Sequence, residues 1–552
     1  MATTGSQSQS QSQSQSQSQS QSQSQSQSQS AAARLGGIPY FNTPRCYLVG
    51  AGSRGSGYAM MALEDASALQ IAGVAEPNAA RRAVFADAHG LEDTCVFDDW
   101  RALLASLPAQ GRDADFVLVA TQDADHAEPA IAFLEAGYHV LVEKPMATTR
   151  ADCDRMAAAA HKAGRMLGVC HVLRYTPYTQ KIKALIDGGA IGSVRSINLV
   201  EPVGNTHFAH SYVRGHWRNS KESSPVLMAK CCHDIDWLLH VTGAALKRVQ
   251  CAGEQLEFSS EHKPVEAGTA TRCVDCAYAS ECPYDATKFY VGNAIDYGMN
   301  NETPTAPRRL LKALVDGPSL LTDIEDAVRD GPYGQCVYEC DNDQPDTVSA
   351  ILTLERPPSH PMPGFILGEL KHADYIMQCL MPWGVMESLK ESNGPVGGTF
   401  AREVHGMAAA VCYDREVLAR AMAANDETIA QFHAANRGER IQVTFEMRAL
   451  TESICKREVT ICGTKGEIRG DMTHIDLAEF KGKDSALAKT RFEPRSLTAD
   501  DTLVSGHWGA DWYMMNAFCA AVALGDPSLV AQVDESLASH MAVFDAEDAR
   551  TK

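Results

Sequence analysis

Six residues, Gly50-Ala51-Gly52-Ser53-Arg54-Gly55, constrain this chain more than any others because of what flanks them. A short apolar run, Cys46-Tyr47-Leu48-Val49, enters the turn and a helical segment leaves it. A second apolar run, Leu69 to Ala75, ends on Glu76, 21 residues past the last glycine. Strand, G-x-G-x-x-G turn, helix, strand and acid, in that order, are what a dinucleotide-binding fold requires. Gly50 makes the tight turn, Gly52 lets the backbone approach a pyrophosphate, and Gly55 lets helix pack on strand, while the helix N-terminus from Ser53 faces the anion. Glu76 stands where such folds place the acid that accepts ribose hydroxyls, which favours NAD over NADP because a carboxylate repels a 2'-phosphate. Arg81, Arg82 and Arg54 lie near enough in sequence to meet such a phosphate, so the preference is modest and NADP stays possible.

The α/β rhythm continues after Glu76. Strands are expected at 95–97, 115–120, 138–142 and 166–170, with helices from about Asp98, over 126–136 and over 149–164. Near-continuous apolar strands alternating with helices predict a doubly wound parallel sheet, with ligands beyond the strand carboxyl ends. Thr121 to Asp125, with His126 behind it, and Glu143-Lys144-Pro145 occupy such ends and are expected to border the cofactor. Beyond a further helix, strand-like runs at 193–200, 347–354, 441–450 and 458–461 predict an α+β domain with a large, mostly antiparallel open sheet. The expected organisation is a Gln/Ser-rich disordered tail and linker over 1–44, an α/β Rossmann dinucleotide-binding domain over 45–172 and an α+β domain over 173–552. The latter is interrupted by an insertion at about 356–440, with helices near Asp414 to Ala424 and Glu427 to Ala435.

A formal charge of -20 argues against nucleic acid or an anionic membrane as a partner. No apolar run approaches the roughly 18 to 20 residues of a membrane span. Seventeen scattered cysteines suit a reducing compartment, and a cytoplasmic location is expected.

The glycine turn, the triplet Glu143-Lys144-Pro145 after a strand, Arg174-Tyr175 with Pro177, and His233-x-x-Asp236 heading a helix together resemble the Gfo/Idh/MocA oxidoreductases, the family of glucose-fructose oxidoreductase and inositol dehydrogenases. The similarity runs from about Arg45 to the C-terminus, the insertion apart, and points to an uncharacterised branch. It implies a nicotinamide cofactor, a pocket between the two domains for a sugar, cyclitol or related polyol, and a homo-oligomer built through the C-terminal sheet. By motif, Lys144 is the lysine beside the nicotinamide and His233 the pocket histidine, giving these two the catalytic roles; Lys144 either transfers a proton or positions hydroxyls. A cis peptide bond before Pro145 is a further implication. One departure is Ala229, where family members commonly carry Asp four residues before the histidine; Lys230 beside it either takes over those contacts or pairs with a structural carboxylate. Two rival activities stay open: an NAD-dependent glycoside hydrolase and a nucleotide-binding regulator without turnover.

Around this core, Glu143 either binds the cofactor ribose or completes the turn, and Asp236 orients His233, binds substrate or favours the helix N-terminus. Arg174 is a cofactor-side candidate that can equally hold a structural aspartate. Tyr175, His210, Arg214 and Trp217 are substrate candidates, since donors mixed with ring faces suit a polyol; chance clustering in a surface loop is the alternative. Cys273, Cys276, Cys282 and Cys340 are candidates for a structural zinc site, with buried free thiols as the alternative. His507 either reaches the pocket or, as the preferred expectation, helps Asp511 cap the helix that follows.

Overall fold

The computed structural model describes residues 43–108, 113–305, 310–356, 439–480, 488–494, 497, 502, 504, 507 and 509–552. Strands β1 (Arg45–Val49), β2 (Gln70–Ala75), β3 (Val96–Phe97), β4 (Phe116–Val119), β5 (His139–Val142) and β6 (Leu167–Val169) form one parallel sheet in the order 3-2-1-4-5-6. The order reverses between β1 and β4, and that switch point is where such sheets open a crevice for a ligand. Helices α1 (Ser53–Glu64), α2 (Ala79–His89), α3 (Trp100–Ser106), α4 (Ala127–Glu135) and α5 (Arg150–Ala163) connect the strands. Burial on both faces explains the uninterrupted apolar strands: Phe116, Val117, Leu118 and Val119 are all essentially inaccessible. Local chemistry fixes the helix ends as well. The Thr149 side chain accepts from the Asp152 amide at the start of α5, and Gly164, at φ +58°, closes it.

After α6 (Pro177–Asp187) come β7 (Val194–Pro202), α7 (Cys232–Thr242), β8 (Ala245–Glu254), α8 (Leu321–Asp330), β9 (Thr347–Glu355), β10 (Arg440–Arg448), β11 (Glu458–Gly463), β12 (Gly466–Gly470), β13 (Ile475–Glu479) and β14 (Ala488–Phe492). The strands form an eight-stranded sheet ordered 14-13-12-11-7-10-9-8, antiparallel except where β7 meets β10. One face is the core, with Ile197, Leu199, Val443 and Phe445 inward; Asn198, Thr444 and Ile351 lie exposed on the other. Glu355 of β9 pairs with Arg440 of β10, so the chain leaves and re-enters the sheet at facing residues. The insertion expected between them, with its two helices, lies almost wholly outside the described residues, as does the 1–44 tail apart from residues 43 and 44.

The last two helices depart from a simple division at residue 172. Helix α9 (Ala510–Leu524) packs on the first sheet, Phe518 meeting Phe116 edge-on at 5.2 Å between ring centroids, in a core shared with Leu48 and Leu118. Helix α10 (Val533–Thr551) lies against α5, α7 and β8 together and so bridges both domains. Among the described residues no helix is long and apolar enough to cross a membrane.

Candidate functional site

The glycine turn has the geometry that a nucleotide needs. Gly50 sits at φ +94°, and a Cβ there would meet the Ala120 carbonyl oxygen at 2.5 Å, while one on Gly55 would lie 2.0 Å from the Gly50 oxygen. A Cβ on Gly52 would meet nothing within 4 Å. Open space therefore lies in front of Gly52 and the N-terminus of α1, which carries no side-chain cap. Glu76 is buried at the carboxyl end of β2, its Oε2 accepting from the Ala51 amide and its Oε1 from the Asn78 amide, both at 2.8 Å. Each oxygen keeps accepting capacity for a ribose hydroxyl. This cradle fits a dinucleotide.

Several expected contacts are built differently. Arg54 does not face the nucleotide space: its Nε donates to Glu143 Oε1 at 2.6 Å and its terminal nitrogens to Asp511 at 2.8 and 3.0 Å. Glu143 also accepts from the Tyr58 hydroxyl at 2.9 Å and from the Lys144 amide at 2.5 Å, so it completes the turn rather than presenting a carboxylate to ribose. Burial opposes its ionisation, but Arg54 and Lys144 beside it hold its carboxyl below the usual range. Thr121 Oγ1 donates to the Asp125 carbonyl at 3.0 Å. His126 is buried between two backbone carbonyls, Pro145 O at 2.7 Å from Nδ1 and Thr121 O at 3.3 Å from Nε2. It ties the loop after β4 to the loop after β5 and acts on the crevice through them.

Arg174 and Asp236 are each other's partners. Nε and Nη2 of the arginine donate to the two aspartate oxygens at 2.7 and 2.6 Å, and Nη1 reaches Glu535 of α10. The buried two-pronged pair thus ties Arg174 and Asp236 to each other and to α10, the structural alternative for the arginine. The Tyr175 hydroxyl accepts from the Ala531 amide at 3.1 Å. Lys230 pairs with the structural carboxylate of Glu201 at 3.4 Å and donates to Cys455 Sγ at 2.8 Å.

The substrate candidates after β7 divide. His210 shares a hydrogen bond with the Tyr290 hydroxyl at 2.8 Å and stacks on Tyr333. Arg214 donates to the carbonyls of Gln335 and Tyr284, each at 2.7 Å, and to Cys273 Sγ at 3.3 Å. Both therefore knit together the excursion between β8 and β9. Trp217 alone turns toward the first domain, its Nε1 donating at 2.9 Å to Asp123 in the loop after β4. The zinc expectation is not supported: among the described residues no group of three or more His, Cys, Asp and Glu is placed to hold a metal ion. Cys273, Cys276, Cys282, Cys336 and Cys340 are free thiols. Cys340 donates its proton to the Cys336 carbonyl at 3.2 Å, and burial pushes its thiol up to about 12. The void of about 20 Å³ that Cys273, Cys276, Cys282 and Cys336 share with Arg214 has the room of roughly one water.

What remains is a compact polar cluster at the domain junction. The peptide bond between Lys144 and Pro145 is cis, and Lys144 Nζ donates to the Ala229 carbonyl at 2.5 Å, across the interface. That carbonyl ends the short helix Val226–Ala229. His233, in the first turn of α7, is 5 % exposed, and neither ring nitrogen has a hydrogen-bond partner among the described residues. Burial, with the Lys144 charge nearby, pushes its imidazole well down, so it is neutral near pH 7. The charge of the amine thus reaches the imidazole across the domain junction, and the ring keeps both nitrogens unengaged by the described residues. His171 is in the same state, its ring 5.9 Å from that of His233 and its Nε2 3.7 Å from Asp236. Burial takes it down to about 3 despite Asp236. The sequence reading stopped one residue short of it, although it stands just past the carboxyl end of β6, where the rule for parallel sheets locates ligand contacts. His507 was expected to cap α9. That helix begins at Ala510, with Gly509 at its N-cap and no side-chain cap, and the His507 ring lies 5.9 Å from that of His233.

Comparison with known proteins agrees with this geometry. Residues 44–171 match the family model for the GFO/IDH/MocA oxidoreductase family, NAD-binding Rossmann fold, and residues 179–272 match the GFO/IDH/MocA C-terminal domain. A 1-carboxy-3-chloro-3,4-dihydroxycyclohexa-1,5-diene dehydrogenase of Comamonas testosteroni is 37% identical over 124 residues, 22% of this chain and 30% of the relative. Inositol 2-dehydrogenase of Salmonella typhimurium is 30% identical over 151 residues, 27% of this chain and 43% of the relative. The matched region thus spans less than half the length of either curated relative. An inositol dehydrogenase homolog from Azotobacter vinelandii, solved with NADH and myo-inositol, shares the fold with a TM-score of 0.52 at 14% identity, over 94% of this chain and 97% of that one. An oxidoreductase from Agrobacterium radiobacter, solved with NAD+, L-tartaric acid and magnesium, gives 0.53 at 12% identity, over 93% and 97%. With its glycine turn, its Lys144-Pro145 loop and its paired sheets, the chain carries, over residues 44–171 and 179–272, both domains of the GFO/IDH/MocA oxidoreductase family, the first an NAD-binding Rossmann fold.

Proposed function

We propose that this protein is an NAD-dependent oxidoreductase acting on a secondary hydroxyl of a sugar, cyclitol or related polyol. The observation that carries the reading is that Lys144 of the first domain bonds the Ala229 carbonyl, four residues ahead of His233, whose buried, unpartnered imidazole feels the Lys144 charge. Gly50, Gly52, Ser53, Gly55 and Glu76 would hold the cofactor, whose nicotinamide, when bound, accepts or returns a hydride. Lys144 Nζ, anchored at 2.5 Å to the Ala229 carbonyl, has donors left for a substrate oxygen and takes the acid–base role. Neutral His233 holds that oxygen or a neighbouring one by a single hydrogen bond, and its buried surroundings exclude water.

NAD is favoured over NADP more strongly than the sequence alone implies. Arg81 is tied to Asp316 at 2.7 Å, Arg82 donates to the backbone carbonyls of Glu76 and Pro77, and Arg54 is committed to Glu143 and Asp511, so none is held ready for a 2'-phosphate.

The test is a panel of sugars, cyclitols and sugar acids with NAD and NADP in parallel, read by absorbance of reduced nicotinamide. NAD-linked reduction by at least one polyol is expected. Glycoside cleavage without net change in cofactor would replace the reading by a hydrolase, and cofactor binding with no chemistry on any compound would replace it by a regulator.

A further inference from the structure

The amine of Lys230 and the thiol of Cys455 meet although 225 positions separate them in sequence, Nζ lying 2.8 Å from Sγ. Both ends of the contact are held. Lys230 closes the short helix Val226–Ala229, its amide donating to the Val226 carbonyl at 2.8 Å. Cys455 sits between β10 and β11 at φ +57°, its amide donating to the Pro202 carbonyl at 2.6 Å and its own carbonyl accepting from Arg457 Nη1 at 3.3 Å. The thiol is free and half-buried, and the lysine side chain is 12% exposed. Glu201 lies fully buried against the pair, with Oε1 3.4 Å from Lys230 Nζ and Oε2 3.1 Å from Arg457 Nε. Neither of its oxygens accepts a hydrogen bond of ordinary geometry among the described residues, so the carboxylate keeps capacity to align the amine and pass its protons.

Other thiols lack this combination. Cys231 is buried, and burial pushes its thiol well up. Cys273 has a cation beside it, Arg214 Nη2 at 3.3 Å, but a guanidinium keeps its charge and never becomes a nucleophile. At Cys455 an ammonium in contact favours the thiolate, partial exposure admits a small oxidant, and the same nitrogen becomes nucleophilic once a proton leaves it.

We propose that Lys230 and Cys455 form a modification site for peroxides, at which oxidised Cys455 is captured by the lysine amine in a covalent sulfur–nitrogen bridge. The Cys455 thiolate attacks one oxygen of hydrogen peroxide and the O–O bond breaks, so that sulfur is oxidised to the sulfenic acid and the peroxide is reduced. The leaving hydroxide takes a proton from the Lys230 ammonium and becomes water. The freed amine, aligned by Glu201, attacks the same sulfur and the S–O bond breaks. The departing hydroxide takes a second proton from the nitrogen, giving a second water. The bridge ties the loop before β11 to the residue that follows Ala229, whose carbonyl receives Lys144.

The test treats full-length wild type, Lys230→Arg and Cys455→Ser with hydrogen peroxide and maps peptides by mass spectrometry, with and without dithiothreitol. In wild type the peptides holding residues 230 and 455 should be recovered joined, lighter than their sum by two hydrogens, and should separate on reduction. Lys230→Arg keeps the cation without the nucleophile, so Cys455 should still oxidise, and dimedone should capture its sulfenic acid about fivefold or more above wild type. Cys455→Ser should give no joined pair. Wild-type Cys455 that stays fully alkylatable by iodoacetamide after peroxide, or is recovered in a disulfide, or is captured by dimedone equally in wild type and Lys230→Arg, overturns the inference. None of these readouts uses turnover, so the oxidoreductase reading stands or falls separately.

Discussion

The glycine turn with its crevice and the excursion between β8 and β9 are both dense in polar and sulfur-bearing side chains, and the difference lies in what those groups are turned toward. Around the excursion Arg214 spends itself on two of its carbonyls and a sulfur and His210 on a tyrosine hydroxyl, while within it Cys340 bonds a backbone oxygen and Ala286, Tyr290 and Ile324 form a core. In the crevice Gly52 fronts open space and His233 and His171 hold buried nitrogens without partners among the described residues. The excursion too leaves buried atoms without partners, Arg272 Nε and Asn342 Oδ1, so what marks the crevice is that its unpartnered imidazoles accompany open space before a glycine turn. Density of interesting residue types does not separate the two.

The sharpest way to break this contrast is Lys144→Ala. Turnover should fall by roughly 10²- to 10⁴-fold, the usual scale for loss of an acid–base group, with NAD binding nearly unchanged. A steady-state assay beside a binding titration checks it, and a loss below tenfold would place Lys144 with the scaffold. Next in size is Arg174→Ala, which leaves Asp236 buried and unpaired and should cost about 3–5 kcal/mol, read as a lowered denaturant midpoint. Gly52→Val separates the regions most cleanly: since its Cβ meets no protein atom, the melting temperature of the cofactor-free protein should hold within a few degrees while NAD affinity drops by at least about tenfold, roughly 1.4 kcal/mol.

The smallest effect is a pH dependence of stability. His171 and His540 are driven by burial to about 3 and about 4 from 6.5, so they stay neutral in the folded chain while the unfolded chain takes up protons. Their contribution is complete above pH 6.5 and is lost as the pH falls toward 4 and below. Chemical denaturation at stepped pH should show this decline, and His171→Asn should flatten it.

What could be read beforehand follows the same division. The first sheet was legible because burial on both faces writes apolar strands, and because the turn, Glu76 and the strand ends lie close together in sequence. Lys144 and His233 were legible through local motifs. By contrast, β8 escaped notice because, as an edge strand, it carries Lys247, Arg248 and Gln250 with only half-covered apolar residues between them. The roles of Arg54 and Arg174 were undecidable in one dimension, since their partners Asp511 and Glu535 arrive more than 350 residues later, and Glu143 and Asp236 take theirs from those two arginines. Paired cysteine spacings suggested metal, and three-dimensional placement did not bear that out.

The bridging helix α10 carries a consequence for how this molecule can be taken apart. Glu535 reaches Arg174, His540 Nε2 receives the Met146 amide at 2.8 Å, and Asp545 and Asp548 hold Arg150 at 2.9 and 2.8 Å, while the same helix lies along β8. Residues 45–172 expressed alone would therefore bare the apolar surface that the final forty-odd residues cover, and would aggregate rather than behave as a portable nucleotide module. Any graft or chimera of the coenzyme half must bring the tail of the chain with it.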